Sequence, residues 1–414
     1  MNRRDFAKLA GLGAVAAATP VGLSARQSDA LPKLAANAQP ITPEERAMRI
    51  QRAAVLMRAN DIDAVLIEAG SSLTYFTGVR WWRSERLTGA VLTREGECVV
   101  TTPFFEEPSV RESLAIEAEV ATWEEHEDPL AKVAAWLATR GLDKGKVGIE
   151  ETVRYFAVGG LAAAMPDARI VSANPVVRGC RMFKSPAELA LMQVANDITQ
   201  AAYRDVIPRI EAGMTPSDIG GMINAATRQM GGSPEFALVL LGEASAYPHG
   251  TGMPQKVRPG EVVLMDCGCN VHGYQSDISR TMVFGEATPK QRLVWSQMRK
   301  GQDVAFEAAQ LGRSAGEVDD AVRAYYERLG YGPDYKLPGT SHRTGHGIGL
   351  DGHEPINLVR GEETALAPGM CFSNEPGIYL PGEFGIRLED CFTMTESGPR
   401  WSTTPPNSID DPAG

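Results

Sequence analysis

Ser341-His342-Arg343-Thr344-Gly345-His346-Gly347-Ile348-Gly349-Leu350-Asp351-Gly352-His353-Glu354 is the stretch on which the reading of this chain turns. Three of the six histidines in 414 residues fall inside it. A lone histidine is more often structural than a ligand. Three along a glycine-rich segment, in a chain so poor in histidine, reverse that expectation. His342 and His346 lie four apart, as in a helical zinc motif, but Gly345 and Gly347 disfavour a helix and the general-base glutamate of that motif is absent. A thermolysin-like protease is therefore excluded.

Two acidic pairs frame the stretch. Upstream, the apolar run Val262-Val263-Leu264-Met265 ends in Asp266, and a glycine-containing turn follows. Gln275-Ser276-Asp277-Ile278-Ser279-Arg280-Thr281 then returns a second carboxylate eleven residues after the first. A hairpin would bring both aspartates over one spot, although aspartate at a strand end is common and says little alone. Downstream, Glu375 lies in Ser373-Asn374-Glu375-Pro376-Gly377 and Glu389 in Gly385-Ile386-Arg387-Leu388-Glu389-Asp390. Their apolar neighbours predict burial, which strongly disfavours lone anions; divalent cations would relieve that cost. Alternation along a strand puts Arg387 and Glu389 on one face, where Arg387 either balances residual negative charge or simply pairs with Glu389.

A chain of this length reads as two domains. Thr42 starts a helix, with Pro43 at its first position and Glu45 at N3. Ala64 to Ile67 reads as a buried strand, Leu87 to Thr101 as more strand, and Pro129 to Arg140 as another helix. Alternation of this kind up to Val171 predicts an α/β domain over residues 42–175. A second domain, over 180–405, opens on the capping box Ser185-Pro186-Ala187-Glu188. Thr215, Thr288 and Ser314 start three more helices by similar chemistry. Strand runs at 261–265, 275–284, 370–374 and 385–394 complete an α+β layout, with every candidate ligand in or beside a strand.

The net charge of −11 argues against a nucleic-acid partner. No apolar run reaches the roughly 18–20 residues that span a bilayer. The six cysteines form no Cys-x-x-Cys pair and indicate no disulfide framework; the four near candidate ligands read as buried free thiols. Asn2-Arg3-Arg4-Asp5-Phe6-Ala7-Lys8 precedes a small-residue apolar stretch from Leu9 to Ala18, which is the order of an export signal. The paired arginines followed by phenylalanine resemble a twin-arginine signal, which delivers folded proteins to the periplasm. Residues 1–38 are read as signal and linker, with Ala36-Asn37-Ala38 a better cleavage pattern than Leu23-Ser24-Ala25. The alternative is an ordinary basic N-terminus on a cytoplasmic protein.

The aspartate pair, Gly-His-Gly-x-Gly, Glu-Pro-Gly and Ile-Arg-Leu-Glu-Asp, in that order, resemble the pita-bread metallopeptidases: methionine aminopeptidase, aminopeptidase P and prolidase. The resemblance covers about Arg181 to Thr395, with a creatinase-like N-terminal domain before it. The string from Gly345 to Glu354 is more similar to the proline-specific branch. What this implies is an α+β pita-bread catalytic domain holding two divalent ions on Asp266, Asp277, His346, Glu375 and Glu389. So oxygen-rich a site suits Mn²⁺, with Zn²⁺, Co²⁺ or Fe²⁺ also accommodated. The implied reaction is hydrolysis of X-Pro peptide bonds by a metal-bridging hydroxide, with Glu375 shuttling the proton.

The resemblance also places His249, in Tyr247-Pro248-His249-Gly250, on the substrate side of the metals. It sets His353 against the substrate carbonyl or the tetrahedral intermediate, and His342 near the residue after the scissile bond. Arg360 is a candidate for gripping a substrate carboxylate, or else a solvated surface arginine. Tyr75, Trp81 and Trp82 are candidates for a lid over proline, from the same chain or from the partner in a homodimer or higher homo-oligomer; Trp81-Trp82 reads equally as domain packing. A metal-dependent dimethylsulfoniopropionate lyase and a creatinase-type amidinohydrolase share this fold. Creatinase works without metal and replaces the ligands, and a binding module of this shape would have lost them; all five are present.

Overall fold

Thr42 opens helix α1 (Pro43–Ala59), its side chain accepting from the Glu45 amide at 3.2 Å with Pro43 at the first position. The computed structural model describes residues 31–414, so the Arg3-Arg4 motif and its apolar stretch lie outside the described residues. After α1 come β1 (Ala64–Glu68), α2 (Ser71–Thr77), β2 (Gly89–Thr93), β3 (Cys98–Pro103), α3 (Glu107–Ser113) and β4 (Glu119–Trp123). Then follow α4 (Pro129–Ala138), β5 (Lys146–Ile149), α5 (Tyr155–Ala164), β6 (Arg169–Ser172) and α6 (Asn174–Arg181). The strands form one mixed sheet in the order β4-β3-β2-β1-β5-β6. All of β1 is buried because both its faces are covered. Val65 and Ile67 share a core with Ala53 and Met57 of α1 and Val176 of α6. Ala64 and Leu66 face Val133, Leu137 and Leu161 of α4 and α5. This is the expected α/β domain.

Helix α7 (Pro186–Val206) starts on the expected capping box, in which Ser185 and Glu188 exchange side-chain and backbone bonds. Helix α8 (Pro216–Met230) and strands β7 (Ser233–Leu241), β8 (Val262–Val271), β9 (Tyr274–Gln275) and β10 (Ile278–Val283) follow. Next come α9 (Pro289–Ala308), α10 (Ala315–Arg328), β11 (Gly345–Gly347), β12 (Glu354–Leu358), β13 (Cys371–Asn374) and β14 (Gly377–Leu380). The chain closes with β15 (Phe384–Arg387), β16 (Asp390–Thr395) and β17 (Gly398–Trp401). Capping boxes at Thr215, Thr288 and Ser314 start α8, α9 and α10, as expected. The strands assemble as β10-β8-β7 with β9 paired to β8, as β12-β11-β13-β16-β17, and as the ribbon β14-β15. Helices α9 and α10 cover the core through Trp295, Met298, Val318 and Val322, packed with Phe372, Ile386 and Phe392.

Two strand expectations change. Asp266 does not end its strand: β8 runs on to Val271. The run 385–394 is two strands in different sheets, because the chain changes partners at Leu388-Glu389. There Ser279 and Glu389 exchange backbone bonds of 3.3 and 3.1 Å. The fully buried Arg280 clamps the junction, donating to the Ser279 and Glu389 carbonyls at 3.0 and 2.9 Å and to Asp390 Oδ1 at 2.8 Å. Hydropathy reports burial but not which sheet a strand joins, so the two pieces read as one.

The domains are tied by charge at two places. Arg49 of α1 donates to the Tyr274 hydroxyl at 3.1 Å and lies 3.4 Å from Glu188. Arg181 bonds Ser71 and Ser72 of α2 on one side, and Asp351 and Glu354 of the histidine loop on the other. All six cysteines are free; five are buried and Cys98 is half-buried.

Candidate metal centre

Asp266 and Asp277 meet because β8 and β10 pair antiparallel, Asp266 opposite Ser279 and Cys267 opposite Ile278. Asp277 sits in the break between β9 and β10, and the chain can pass there only because residue 268 has no side chain. A Cβ on Gly268 would stand 2.4 Å from the Ser276 carbonyl oxygen. His346 occupies the middle of β11, a strand closely flanked on both sides. A Cβ on its neighbour Gly345 would fall 2.1 Å from the Ser373 carbonyl of β13. The glycine-rich sequence is thus the condition for sheet packing around the histidine. Glu375 follows the end of β13, its amide donating to the Thr344 carbonyl at 2.8 Å. Glu389 enters from the β15–β16 junction.

These elements bring all five expected ligands to one wall of a cavity of about 460 Å³. His346 Nε2 lies 3.2 Å from Glu375 Oε1, 3.7 Å from Asp277 Oδ2 and 4.0 Å from Glu389 Oε1. Donor atoms of Asp266, Asp277 and Glu389, and those of His346, Glu375 and Glu389, come within 4.8 Å of one another. His346 Nδ1 sits 3.0 Å from the Gly347 carbonyl, which can only accept, so Nε2 offers a lone pair to the centre. Asp266 Oδ1 and Glu389 Oε1 are buried with no hydrogen-bond partner among the described residues. Burial, then Asp266 and Glu375, push the Asp277 carboxyl well above its usual range. Burial and the same crowd of acids, Asp277 first, do so for Glu389. Orphaned oxygens and crowded acids around an imidazole lone pair are what divalent cations would satisfy, so the residues fit a metal pair.

Arg387 is in the cavity, but its ion pair is with Asp266 rather than Glu389. It also donates to the Ser279 hydroxyl, the Pro248 carbonyl and the Tyr379 hydroxyl, at 3.1, 3.0 and 3.2 Å. Ser279 in turn donates to Glu389 Oε2 at 2.8 Å. Tyr379 and Ser279 were not singled out in the sequence. For Ser279 a signal existed, since it alternates with Asp277; for Tyr379, on the separate β14–β15 ribbon, there was none.

His249 and His353 are exposed and line the cavity mouth. The His353 ring stacks on His346 with centroids 3.8 Å apart and comes within ligand range of Asp277. Desolvation, and then His346, press its pKa down to about 4. His342 also lines the cavity, but both its nitrogens are engaged within the protein. Nδ1 faces the Arg343 carbonyl at 2.8 Å, and Nε2 accepts from the Tyr379 hydroxyl at 2.7 Å. Arg360 is a correction: it does not line the cavity and instead pairs with Asp320 and Asp334 at the surface. Tyr75 is a second correction to the lid. It is buried in the N-terminal domain beneath Arg49, with its hydroxyl on the Cys180 carbonyl. Trp81 and Trp82 stack at 5.6 Å, with Trp82 75 % exposed, and neither lines the cavity of its own chain. A wider groove of about 1070 Å³ shares Glu235, Phe236, Leu238 and His249 with the cavity.

A mixed α/β domain ahead of curved sheets that converge four carboxylates and a histidine defines a prolidase-like metallohydrolase. The chain belongs to metallopeptidase family M24, matched over residues 190–396, with a creatinase/prolidase N-terminal domain over 49–183. It is 30 % identical to a Xaa-Pro dipeptidase of Lactobacillus delbrueckii subsp. lactis, over 83 % of this chain and 93 % of that protein. Among solved structures, the dipeptidase PepE of Mycobacterium ulcerans superposes with a TM-score of 0.82 at 30 % identity, covering 89 % of this chain and 98 % of its own. A prolidase of Thermococcus sibiricus gives 0.79 at 26 %, covering 88 % and 98 %. The fold is a creatinase-type N-terminal domain followed by a pita-bread catalytic domain, and the centre belongs to a metal-dependent family.

Proposed function

We propose that the chain hydrolyses X-Pro peptide bonds at a centre of two divalent cations held by Asp266, Asp277, His346, Glu375 and Glu389, with Mn²⁺ the best suited. The observation that carries this reading is the pair of buried, partnerless oxygens, Asp266 Oδ1 and Glu389 Oε1, within two ligand groups, Asp266-Asp277-Glu389 and His346-Glu375-Glu389, that share Glu389. The hard, oxygen-rich donor set supports Mn²⁺, and the relatives' names support the X-Pro bond. When bound, such cations supply Lewis acidity and draw the pKa of a bound water from about 15.7 towards about 7.

The chain's own residues do the rest. Glu375, half-buried at the cavity wall, takes the water's proton and delivers it to the leaving nitrogen. That delivery is needed because the proline nitrogen of an X-Pro amide carries no hydrogen. His353, held neutral near physiological pH by its depressed pKa of about 4, donates an N–H to the developing oxyanion. His249, across the mouth, orients the substrate. Arg387 fixes Asp266 and, through Tyr379, His342. Phe236 and Leu238 offer the proline ring an apolar wall. The exposed Trp82, Phe104 and Phe105 support association of copies into a homo-oligomer.

The test is a screen of Mn²⁺-loaded protein on X-Pro dipeptides, longer X-Pro peptides, creatine and dimethylsulfoniopropionate. Cleavage of the X-Pro peptides alone is expected, and turnover of creatine or the sulfonium compound without peptide hydrolysis would overturn the reading. Asp277→Asn and His346→Ala should each weaken metal binding at least 100-fold, beyond the roughly 10–100-fold typical of outer-shell partners. Elemental analysis and peptide hydrolysis read that loss together.

A further inference from the structure

We propose that Gln302 is a positioning residue for the metal centre, setting the separation of Glu375 and Glu389 from behind the sheet. The proposal rests on the reading of these two glutamates as ligands of a metal pair, and takes nothing from the identity of the substrate.

Glu375 and Glu389 stand one step beyond the last rung of the β13–β16 ladder, on which Asn374 faces Asp390. Carrying the pairing one residue further would set the two glutamates directly opposite each other, and like charges so placed repel. The ladder stops there, so the distance between the two carboxylates is inherited from that rung. Gln302 of α9 grips both sides of it. Its side-chain nitrogen donates to the Asn374 carbonyl at 3.2 Å and to Asp390 Oδ2 at 2.9 Å, and an amide has the two hydrogens this needs. The Asn374 side chain donates in return to the Gln302 carbonyl at 2.9 Å, which fixes the rung to the helix. Asp390 Oδ1 accepts from Arg280 at 2.8 Å and from the Thr403 hydroxyl at 2.6 Å, so its carboxylate is held from both ends. Gln302, Asn374 and Asp390 are wholly buried, and Gln302 does not line the cavity; it acts on the ligands only through their neighbours in the chain. A role in the fold alone is the competing account. Gln302 Oε1 and Asn374 Oδ1 are buried with no partner among the described residues, a cost that an apolar side chain of the same length would avoid. What the amide adds is a neutral double donor, which holds Asp390 without bringing another charge to a centre already crowded with acids.

The test compares wild type with Gln302→Met, which keeps the length and loses both donors, and with Gln302→Asn, which withdraws the amide by one methylene. Val294→Ala is the control: it removes buried packing from the same helix and no hydrogen bond. Each protein is titrated with Mn²⁺ by calorimetry, unfolded in denaturant without metal, and examined by electron paramagnetic resonance when Mn²⁺-saturated. Wild type should show the spin-coupled signal of two ions sharing a carboxylate. Gln302→Met should bind Mn²⁺ roughly 10- to 100-fold more weakly, the range for groups that orient ligands from outside the coordination shell, and should change that coupling at saturation. Gln302→Asn should do the same, and it decides the matter if Gln302→Met does not fold. Val294→Ala should lose stability to denaturant but keep the wild-type affinity and coupling. Wild-type affinity and coupling in the folded Gln302 variants, an equal loss in Val294→Ala, or failure of both Gln302 variants to fold would assign Gln302 to the fold alone and overturn the proposal. A wild type that binds no Mn²⁺ would instead remove the metal-centre reading, and the proposal with it.

Discussion

Glu354 follows His353 in sequence and is buried at the junction of the two domains. Its carboxylate accepts from Lys184 Nζ at 2.9 Å, from the Leu350 amide at 3.0 Å and from Arg181. Burial works to raise its pKa, but Arg181 and Lys184 outweigh that and hold it at about 2. The folded value lies below the unfolded one of about 4.3, so the stabilisation is complete above that pH and is lost as pH falls towards 2. Glu354→Gln would leave Lys184, itself buried, facing a neutral amide. We expect a loss of about 3–5 kcal/mol at pH 7. The gap to wild type should narrow as pH falls from about 4.3 to about 2, read by denaturant unfolding at several pH values. A gap independent of pH would place the effect elsewhere. At this scale the sequence was informative about ligand types and weak about their supports. Arg360 read as a candidate because nothing in its own string shows its partners: Asp320 of α10 and Asp334 beyond it reach it only in the fold.

Strands β8 to β10 hold their two aspartates in place by the absence of an atom. Gly268→Ala would drive a methyl group against the carbonyl of Ser276 and displace the next residue, the ligand Asp277. A Mn²⁺ affinity at least tenfold weaker is expected, because a ligand backbone moves, while the β7–β8 pairing survives. Isothermal titration with Mn²⁺ and far-UV circular dichroism separate the two effects; unchanged affinity would mean the loop absorbs the methyl. Helix starts were legible because a cap is local: Ser185 with Glu188 and Thr288 with Gln291 declare themselves in four residues. The strand change at Leu388-Glu389 was not, because it depends on Arg280 and Ser279, far away in sequence. Tyr75 misled for a similar reason: α1 lays Arg49 over it, and a local reading of aromatics cannot see that.

For the molecule as a whole, residues before the described fold carry the proposed address. A paired Arg3→Lys, Arg4→Lys variant is expected to remain in the cytoplasm while wild type reaches the periplasm, read by fractionation and immunoblot; export of the variant would remove the twin-arginine reading. The turn Leu34–Asn37 belongs to the catalytic body, with Ala35 3.0 Å from where a Cβ of Gly231 would sit and the Ala38 carbonyl 3.3 Å from His272 Nε2. Cleavage after Ala38 would remove this turn, so an exported chain is expected to begin before Leu34, which mass spectrometry of the periplasmic protein decides. The partner exchange at Leu388-Glu389 has a temporal meaning as well. Glu389 reaches the cluster only when the last strands have formed, whereas Asp266 and Asp277 leave the ribosome long before. A nascent chain therefore carries an incomplete coordination set through most of its synthesis, and a product terminated before Glu389 never completes one. Full occupancy of the proposed centre would thus require that translation has passed Glu389 and that the β15–β16 junction has folded.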